Sequence, residues 1–322
     1  MSGRMSENKT ILIKRKTRLE ELVVRYNTIQ QAQFYIERLG ADFSDYISED
    51  HHYRKAVETA VIELSAIGRV QLLERQHVPN FIFGDEDTVV VLGQDGLVAN
   101  TLKYLREQPL IGVNPDPQRW DGVLLPFTVK DLRLLLPEVF RGQRQVREVT
   151  LARAELNDGQ SLYGVNDLFI GRKTHVSARY QLQLNDVTEQ QSSSGIIVST
   201  GMGSTGWLKS VLAGATGIVR SAAGLQVDAE AEAILGLAGS GQRLAWDHPH
   251  LYFTVREPFP SCTTSAGVVF GQIGAQQPLR ITSQMPEDGV IFSDGVESDF
   301  LEFNSGVEAT ISLAEKRGRL VV

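Results

Sequence analysis

Several features are scarce or missing in this 322-residue sequence, and each excludes a class of protein. The single cysteine, Cys262, excludes an internal disulfide and fits a reducing compartment. No apolar run approaches the ~20 residues that cross a bilayer, so we expect no membrane partner. Aspartate and glutamate (39) outnumber lysine and arginine (32), and the net charge of −7 argues against a nucleic-acid partner. The Gly-x-x-x-x-Gly-Lys-Ser/Thr pattern is missing, which excludes a P-loop.

The length and overall composition are those of a globular protein with room for two domains. Hydrophobic residues make up 42% of the chain and charged residues 22%. The opening nine residues lack the apolar centre of a secretion signal. A short mitochondrial presequence stays open, but a first strand predicted from about residue 10 leaves little to cleave, so we expect a cytoplasmic protein.

The first half of the sequence alternates strand patterns with helix patterns. We predict strands over 10–13, 70–73, 87–92 and 110–114. Between the first two strands we predict one helix from a Thr17 cap, with Glu20 in the capping-box position, to Gly40 and a second over about 50–67. After the last strand we predict a helix over 129–136 that Pro137 ends. This alternation predicts a doubly wound, mainly parallel α/β sheet. We assign residues 1–142 to this domain and expect it to bind a nucleotide.

The pattern changes after about residue 142, where apolar and polar residues alternate with period two. Asn157-Asp158-Gly159 is a strong hairpin signal. Helical patterns interrupt the strands only near 205–212 and 229–238. We therefore predict a β-rich second domain over 143–322, and we expect its tail, from about 296, to pack back on the first domain.

The most informative stretch is Gly93-Gln94-Asp95-Gly96, which follows the β-branched run of a buried strand and precedes a helix pattern. In α/β proteins this turn lies at the carboxyl edge of the sheet, where ligands bind. The two glycines allow backbone amides to approach a phosphate. A carboxylate between them repels anions, which suggests that Asp95 takes a proton or holds a metal. An ordinary surface turn explains the local pattern about equally well.

Three later stretches also carry polar groups at the ends of apolar runs. Asn166-Asp167 offers a donor and acceptors that suit ribose hydroxyls, although a turn entering a strand is the simpler explanation. Asp294-Gly295 follows another strand pattern and, taken alone, is a tight turn. The third stretch, 198–210, is a loop of glycines and hydroxyl residues before a helix.

In that third stretch Ser204 or Thr205 can cap the helix, and the free amides at its start suit an anionic or polar ligand. Trp207 offers a flat face on which a base can stack. The alternative is a well-capped helix with a tryptophan in the core.

Taken together, in this order and spacing, these stretches resemble the NAD kinase family. The matching segments are Gly93–Leu97, Leu110–Pro115, Asn166-Asp167, Gly203–Trp207 and Asp294-Gly295. The tryptophan in place of a tyrosine, the Ser-Thr-Gly-x-Gly loop and the early basic segment before Thr17 resemble the mitochondrial-type branch more closely. The resemblance covers most of residues 85–297 and implies an α/β domain followed by a β-rich NAD-binding domain.

The resemblance also implies a reaction, in which the γ-phosphoryl group of ATP passes to the 2′-hydroxyl of the adenosine ribose of NAD. Asp95 would be the general base, and Mg²⁺ would screen the phosphates without dedicated metal ligands from the chain. NAD or NADH and ATP would be the partners, in a homodimer or homotetramer. The nucleotides would contact the glycine turn, the Asn-Asp pair and an adenine pocket, formed by Gly93, Gln94, Gly96, Asn166, Asp167, Thr205, Gly206, Trp207 and Ser210.

The sequence departs from the family pattern at several of these positions. Gln94 replaces a glycine, which would cost about 1 kcal/mol if the backbone there had a positive φ. Leu97 replaces a threonine, Asp167 a glutamate, and Ser194 an aspartate found in many members. Two alternatives stay open: a non-catalytic NAD(H) sensor that has lost turnover through Gln94 and Leu97, and a lipid kinase of the diacylglycerol or sphingosine type, which shares the Gly-Gly-Asp-Gly signature. The sequence also leaves open ATP or polyphosphate as donor, and NAD or NADH as acceptor.

Overall fold

The structure is a computed structural model that describes residues 8–223, 244–296 and 298–322. The chain divides into two compact units. The first contains the residues up to Arg147 together with Arg319–Val322, and the second contains Glu148–Gly318. Within the described residues no helix has both the length and the apolar character needed to cross a membrane.

The first unit is built on a parallel sheet, as the alternating strand and helix patterns predict. Strands pair parallel in the order β2-β1-β3-β4, and β4 also pairs parallel with β5 and with the chain end at Leu320. Every residue of β3 and β4 is buried, which explains their continuous apolar runs. In chain order the elements are β1 (Lys9–Lys14), α1 (Arg18–Tyr26), α2 (Ile29–Arg38), α3 (Ser44–Ser65), β2 (Arg69–Glu74), β3 (Thr88–Leu92), α4 (Asp95–Leu102), β4 (Leu110–Asn114), β5 (Phe127–Thr128) and α5 (Leu132–Phe140).

The core of this unit joins the sheet to two of its helices. Leu12, Val90 and Ile111 from β1, β3 and β4 share one buried cluster with Ala60 of α3 and Leu136 of α5. The apolar spacing of α3 and α5 places these side chains on one face, as amphipathic helices require. The two helices therefore pack on the sheet whose carboxyl edge carries the glycine turn.

Three helix boundaries differ from the sequence predictions. The single helix expected from Thr17 to Gly40 is two helices, because Asn27 has a left-handed φ of 67° and Thr28 caps a new helix through its hydroxyl. The helix expected from about residue 50 begins at Ser44. Pro137 does not end the last helix but lies inside α5.

The second unit is made of two antiparallel sheets. One contains the strand order β10-β9-β14-β17, with β6 paired to β17 and to β7, and the other has the order β13-β12-β11-β8-β15-β16. In chain order the elements are β6 (Val146–Leu156), β7 (Ser161–Gly164), β8 (Asp167–Arg172), β9 (Ala178–Leu184), β10 (Val187–Ser193), β11 (Ile196–Ser199), α6 (Trp207–Ala223), β12 (Leu251–Val255), β13 (Phe270–Ile273), β14 (Leu279–Ser283), β15 (Gly289–Ser293), β16 (Phe300–Glu302) and β17 (Glu308–Val321).

The β-rich character predicted for the second half is confirmed, and the two sheets share one core. Tyr180, Phe253 and Phe303 are the largest fully buried side chains of this cluster. The hairpin predicted at Asn157–Gly159 joins β6 to β7, with Gly159 at a φ of 89°. The predicted helical pattern at 205–212 is part of α6 and the short 3₁₀ turn before it, whereas the pattern at 229–238 lies outside the described residues.

Candidate active site

The glycine turn of the first unit connects β3 to α4. Gln94 has an extended backbone (φ −124°), so the strain considered for a side chain at this position does not arise. A Cβ on Gly93 would lie 2.9 Å from Cδ2 of the buried Leu97, so a larger residue there would force the Leu97 side chain to shift. A Cβ on Gly96 would meet nothing within 4 Å. The turn therefore tolerates Gln94 while the leucine that replaces the family's threonine fills space beside Gly93.

Asp95 is the first residue of α4, and its carboxylate is held by two backbone amides. The Leu124 N–H donates to Oδ1 at 2.8 Å, and the Val123 N–H donates to Oδ2 at 3.2 Å. A negative charge in the first turn of a helix is also favourable. A carboxylate has about four lone-pair positions, so these two contacts fix its orientation and leave capacity for a further hydrogen bond. The side chain is half-buried.

A buried tyrosine and an arginine lie behind the glycine turn. The Tyr53 hydroxyl donates to the carbonyl of Leu92 at 2.8 Å and accepts from the Arg15 N–H at 2.9 Å. Arg15 pairs with Glu49 at 2.6 Å, and its Cδ would lie 3.9 Å from a Cβ built on Gly93. Of the basic residues that follow β1, Arg15 is thus the one that the fold brings to this turn.

In the second unit, Asn166 and Asp167 lie where β8 begins, and Asp294 holds their backbone. The Asp294 carboxylate accepts from the Val165 N–H at 3.0 and 3.1 Å, from the Asn166 N–H at 2.6 Å and from the Asp167 N–H at 3.3 Å. Asp294 has a left-handed φ of 53°, which aspartate tolerates better than most residues. The sequence singled out Asp294-Gly295 as a motif but assigned it no role in the site.

The side chain of Asp167 is unusual because it is largely buried and one of its oxygens, Oδ1, has no hydrogen-bond partner within the described residues. Burial raises the pKa of Asp167 to about 7; a hydrogen bond with Ser199 opposes the shift, and the charge of Asp294 adds to it. Ser199 is its cross-strand neighbour on β11. A buried polar atom without a partner is a candidate ligand contact.

The loop before α6 packs closely on the Asn166 backbone. A Cβ on Gly203 would lie 2.1 Å from the Asn166 carbonyl oxygen, so only glycine fits. The Thr200 N–H donates to that oxygen at 2.9 Å, and the Thr200 hydroxyl accepts from the Gly203 N–H at 3.2 Å. Ser204, one of the two alternative caps predicted for α6, lies in the 3₁₀ turn before that helix, and its hydroxyl donates to the Gly201 carbonyl at 2.7 Å.

Trp207 begins α6, and one face of its ring is used inside the fold. It stacks on Phe169 at a centroid distance of 5.7 Å and an interplanar angle of 7°, and Phe169 stacks in turn on Phe292. The Arg256 guanidinium lies 5.4 Å from the centroid of the Trp207 ring. Thr205, Gly206 and Ser210, the other residues expected around an adenine, are exposed in and after this turn.

The structure therefore assembles the predicted residues into two groups, one in each unit. Asp95 lies with Gly93, Gln94 and Gly96 in the first, and Asn166 and Asp167 lie with the Gly203–Trp207 loop in the second. No cluster of three or more metal-binding side chains is found in the described part of the chain. Sequence reasoning missed the roles of Asp294 and Ser199, for which the only signal was a polar residue at the end of an apolar strand.

Comparison with known proteins identifies the fold first. No protein-family model matches the chain. An NAD kinase from Archaeoglobus fulgidus, solved in complex with ATP, matches with a TM-score of 0.56 at 16% identity, over 98% of this chain and 93% of that one. Yeast NADH kinase complexed with NADH also gives 0.56, at 14% identity, over 98% and 83%. The two-domain fold is that of the NAD kinases.

Curated sequences give the closer relationship. NAD kinase 2, mitochondrial, of Rattus norvegicus is 24% identical over 257 residues, which cover 64% of this chain and 60% of that protein. The Homo sapiens protein of the same name is 25% identical over 256 residues, with 64% and 58% covered. The match thus spans less than two thirds of the length of either relative. These findings confirm the resemblance recognised from the motifs: the chain is similar in sequence to mitochondrial NAD kinase 2 and in fold to solved NAD kinases.

Proposed function

We propose that this protein is an NAD kinase that transfers the γ-phosphoryl group of ATP to the 2′-hydroxyl of the adenosine ribose of NAD, giving NADP and ADP. The observation that carries the proposal is the position of Asp95. A carboxylate held by two backbone amides, at the start of a helix that follows a buried parallel strand, is placed where α/β proteins bind ligands. The names of the curated relatives and the ATP and NADH in the two solved structures support the choice of substrates.

In the proposed mechanism Asp95 is the general base. Its carboxylate takes the proton of the 2′-hydroxyl as that oxygen bonds to the γ-phosphorus, while the bond from phosphorus to the bridging oxygen of ADP breaks and its electron pair leaves with ADP. The transition state of phosphoryl transfer is loose, so catalysis depends mainly on position and charge. The amides of Val123 and Leu124 keep Asp95 oriented for this role.

We treat Mg²⁺ as part of the donor substrate, bound to the triphosphate of ATP. The described residues contain no cluster of three metal-binding side chains that would hold a resident ion. In this role Mg²⁺ would neutralise charge that develops on the phosphoryl oxygens. The glycine turn, formed by Gly93, Gln94 and Gly96, would lie against the phosphates.

The second group would bind the acceptor. Asn166 and Asp167 present a side-chain amide and a carboxyl group that suit ribose hydroxyls, and the free Oδ1 of Asp167 is a ready acceptor. Thr205, Gly206, Trp207 and Ser210 would line the adenine pocket, with one face of Trp207 already covered by Phe169. NAD and NADH are both compatible with these contacts.

The assembly and the location are also part of the proposal. A homodimer or homotetramer in the cytoplasm is the working hypothesis. The curated relatives carry the description mitochondrial, which makes the mitochondrion the alternative compartment.

The role of Asp95 is tested with a matched pair of variants on either side of β3. Asp95→Asn keeps the size of the side chain but removes its basicity, and should lower the rate of NADP formation at least ~10²-fold. Asp87→Asn changes an aspartate at the other end of the same strand, which accepts from the Gly84 N–H at 2.9 Å. Its rate should stay within about threefold of wild type. Equal losses in both variants, each with a native circular dichroism spectrum, would remove Asp95 from the mechanism.

A further inference from the structure

The side chain of Asp294 accepts hydrogen bonds from the backbone of the turn that contains Asn166. Three successive amides, from Val165 to Asp167, point at the carboxylate of Asp294, which lies 128 residues from Asn166 in the chain. Hydrogen bonds from backbone N–H groups to an ionised carboxylate are stronger than those between neutral groups. In return the Asp294 N–H donates to the carbonyl of Asp167 at 2.9 Å.

The backbone conformation at Asp294 and Gly295 directs the Asp294 carboxylate towards these amides. Its φ of 53° and the φ of 69° at Gly295 turn the chain sharply after β15, so that the carboxylate faces the start of β8. β15 and β8 are paired strands, and the register places Ser293 opposite Leu168, next to the turn. The turn that carries Asn166 and Asp167 is therefore fixed from the neighbouring strand as well as from its own.

The contact also sets the charge around Asp167. Asp294 is the charged group that acts on Asp167, and Ser199 from β11 is its side-chain hydrogen-bond partner. Two carboxylates that interact where they are partly shielded from water disfavour ionisation of the one that has fewer hydrogen bonds. Asp294, with three amides, is the better stabilised of the two anions.

We propose that Asp294 is a positioning residue, which holds Asn166 and Asp167 in place for the dinucleotide without touching it. This inference rests on the proposed function, since it takes those two residues as contacts of the NAD adenosine. It goes beyond that function because it assigns a role to a carboxylate on a different strand.

The first test compares two aspartates that flank the same strand. Asp288 precedes β15 and Asp294 follows it, and both have left-handed backbones, with φ of 58° and 53°. Asp294→Ala should raise the KM for NAD at least ~10-fold, since it leaves three amides without their acceptor, and should leave the KM for ATP within about twofold. Asp288→Ala carries the same backbone cost and should change neither constant. An unchanged KM for NAD in a folded Asp294→Ala protein would overturn the proposal.

The second test uses the pH dependence of NAD affinity, which a purely structural role would not move. Asp294→Asn keeps an acceptor oxygen but removes the charge, so the midpoint belonging to Asp167 should move to lower pH. Ser199→Ala removes the hydrogen bond that lowers the pKa of Asp167, so the same midpoint should move to higher pH. Asp167→Asn should abolish the midpoint. Shifts of both variants in one direction would contradict the proposed coupling.

Failure of this inference can be told apart from failure of the proposed function. If wild-type protein neither binds NAD nor forms NADP, the proposed function is wrong, and the role of Asp294 in NAD binding is wrong with it. If wild-type protein is active and Asp294→Ala matches Asp288→Ala in every constant, the kinase proposal stands and only the role of Asp294 is wrong.

Discussion

Tyr53 donates its hydroxyl hydrogen to the carbonyl oxygen of Leu92 at 2.8 Å, one residue before the glycine turn that leads to Asp95. The same hydroxyl accepts from the Arg15 N–H at 2.9 Å. One phenol on α3 therefore joins the chain just after β1 to the carboxyl end of β3, beyond Ile13 and Val91, the last residues of the two strands that pair with each other. Burial raises the pKa of this hydroxyl to about 12.

Removal of the Tyr53 hydroxyl tests how much it contributes to the stability of the protein. Tyr53→Phe leaves the Leu92 carbonyl and the Arg15 N–H without their partner, so we expect the free energy of unfolding to fall by about 1–3 kcal/mol. Urea denaturation at pH 7.5 measures this difference. A loss below about 0.5 kcal/mol would mean that water replaces the hydroxyl at no cost.

The same variant has a defined pH dependence. The folded protein keeps the Tyr53 proton up to a pKa of about 12, whereas the unfolded chain releases it near 10. The stabilisation is therefore complete below pH 10 and is lost as the pH rises from 10 towards 12. The difference between wild type and Tyr53→Phe should narrow across that interval, and a constant difference would contradict the buried hydroxyl.

We expect Asp167 to lower the stability of the folded protein at pH 8 while it contributes to NAD binding. Its pKa of about 7 in the folded protein lies above its ordinary value of 3.8, so its contribution to stability is full below pH 4 and is lost as the pH rises through 7. Asp167→Asn should therefore stabilise the protein at pH 8 by about 1–3 kcal/mol and give no gain at pH 4. NAD affinity should fall in the same variant. Denaturation at the two pH values, with calorimetric titration of NAD, measures both effects.

Substitution by alanine should have opposite effects on stability at Gly203, in the loop before α6, and at Gly214, inside α6. Gly203→Ala would place a Cβ 2.1 Å from the Asn166 carbonyl oxygen, which is backbone and cannot move aside. We expect a loss of about 3 kcal/mol or more, together with weaker NAD binding. Gly214→Ala lies inside α6 with nothing within 4 Å of the new Cβ, and should stabilise the helix by up to ~1 kcal/mol. Thermal unfolding of the two variants compares them directly.

A substitution at Gln94 distinguishes an effect on the backbone from an effect on ATP binding. Because its φ is −124°, glycine brings no relief of strain here and adds freedom to the unfolded chain. Gln94→Gly should therefore lower the free energy of unfolding by about 0.5–1 kcal/mol. If the side chain limits access of the triphosphate, the KM for ATP will fall in the same variant. A stabilised Gln94→Gly protein would contradict the extended backbone.

The sequence predicted those parts of the molecule in which neighbouring residues determine the outcome. The β-branched runs of β3 and β4, the Thr17 capping box and the Asn157–Gly159 hairpin are local patterns, and all three are confirmed. The break at Asn27 was missed because an asparagine followed by a threonine fits the polar face of one long helix as well as a junction between two.

The sequence predicted the residues of the candidate site but not the contacts that hold those residues in place. Asp95, Asn166 and Asp167 follow or begin strands and can be read from motifs. The amides of Val123 and Leu124 on Asp95, and the carboxylate of Asp294 on the Asn166 turn, join positions 28 to 129 residues apart. Contacts of that kind follow from strand order, which the pattern of one sequence does not specify.

The central claim is tested most directly by following the phosphoryl group itself. Wild-type protein is incubated with NAD, Mg²⁺ and ATP labelled in the γ-phosphate, and the product is separated and offered to an NADP-specific dehydrogenase. We predict that the label appears in a dinucleotide that this dehydrogenase reduces, which places the phosphate on the 2′-oxygen. The contradicting result is measurable NAD binding without any labelled dinucleotide, under conditions in which a known NAD kinase forms it. That result would overturn the proposed kinase activity and favour a non-catalytic NAD(H) sensor.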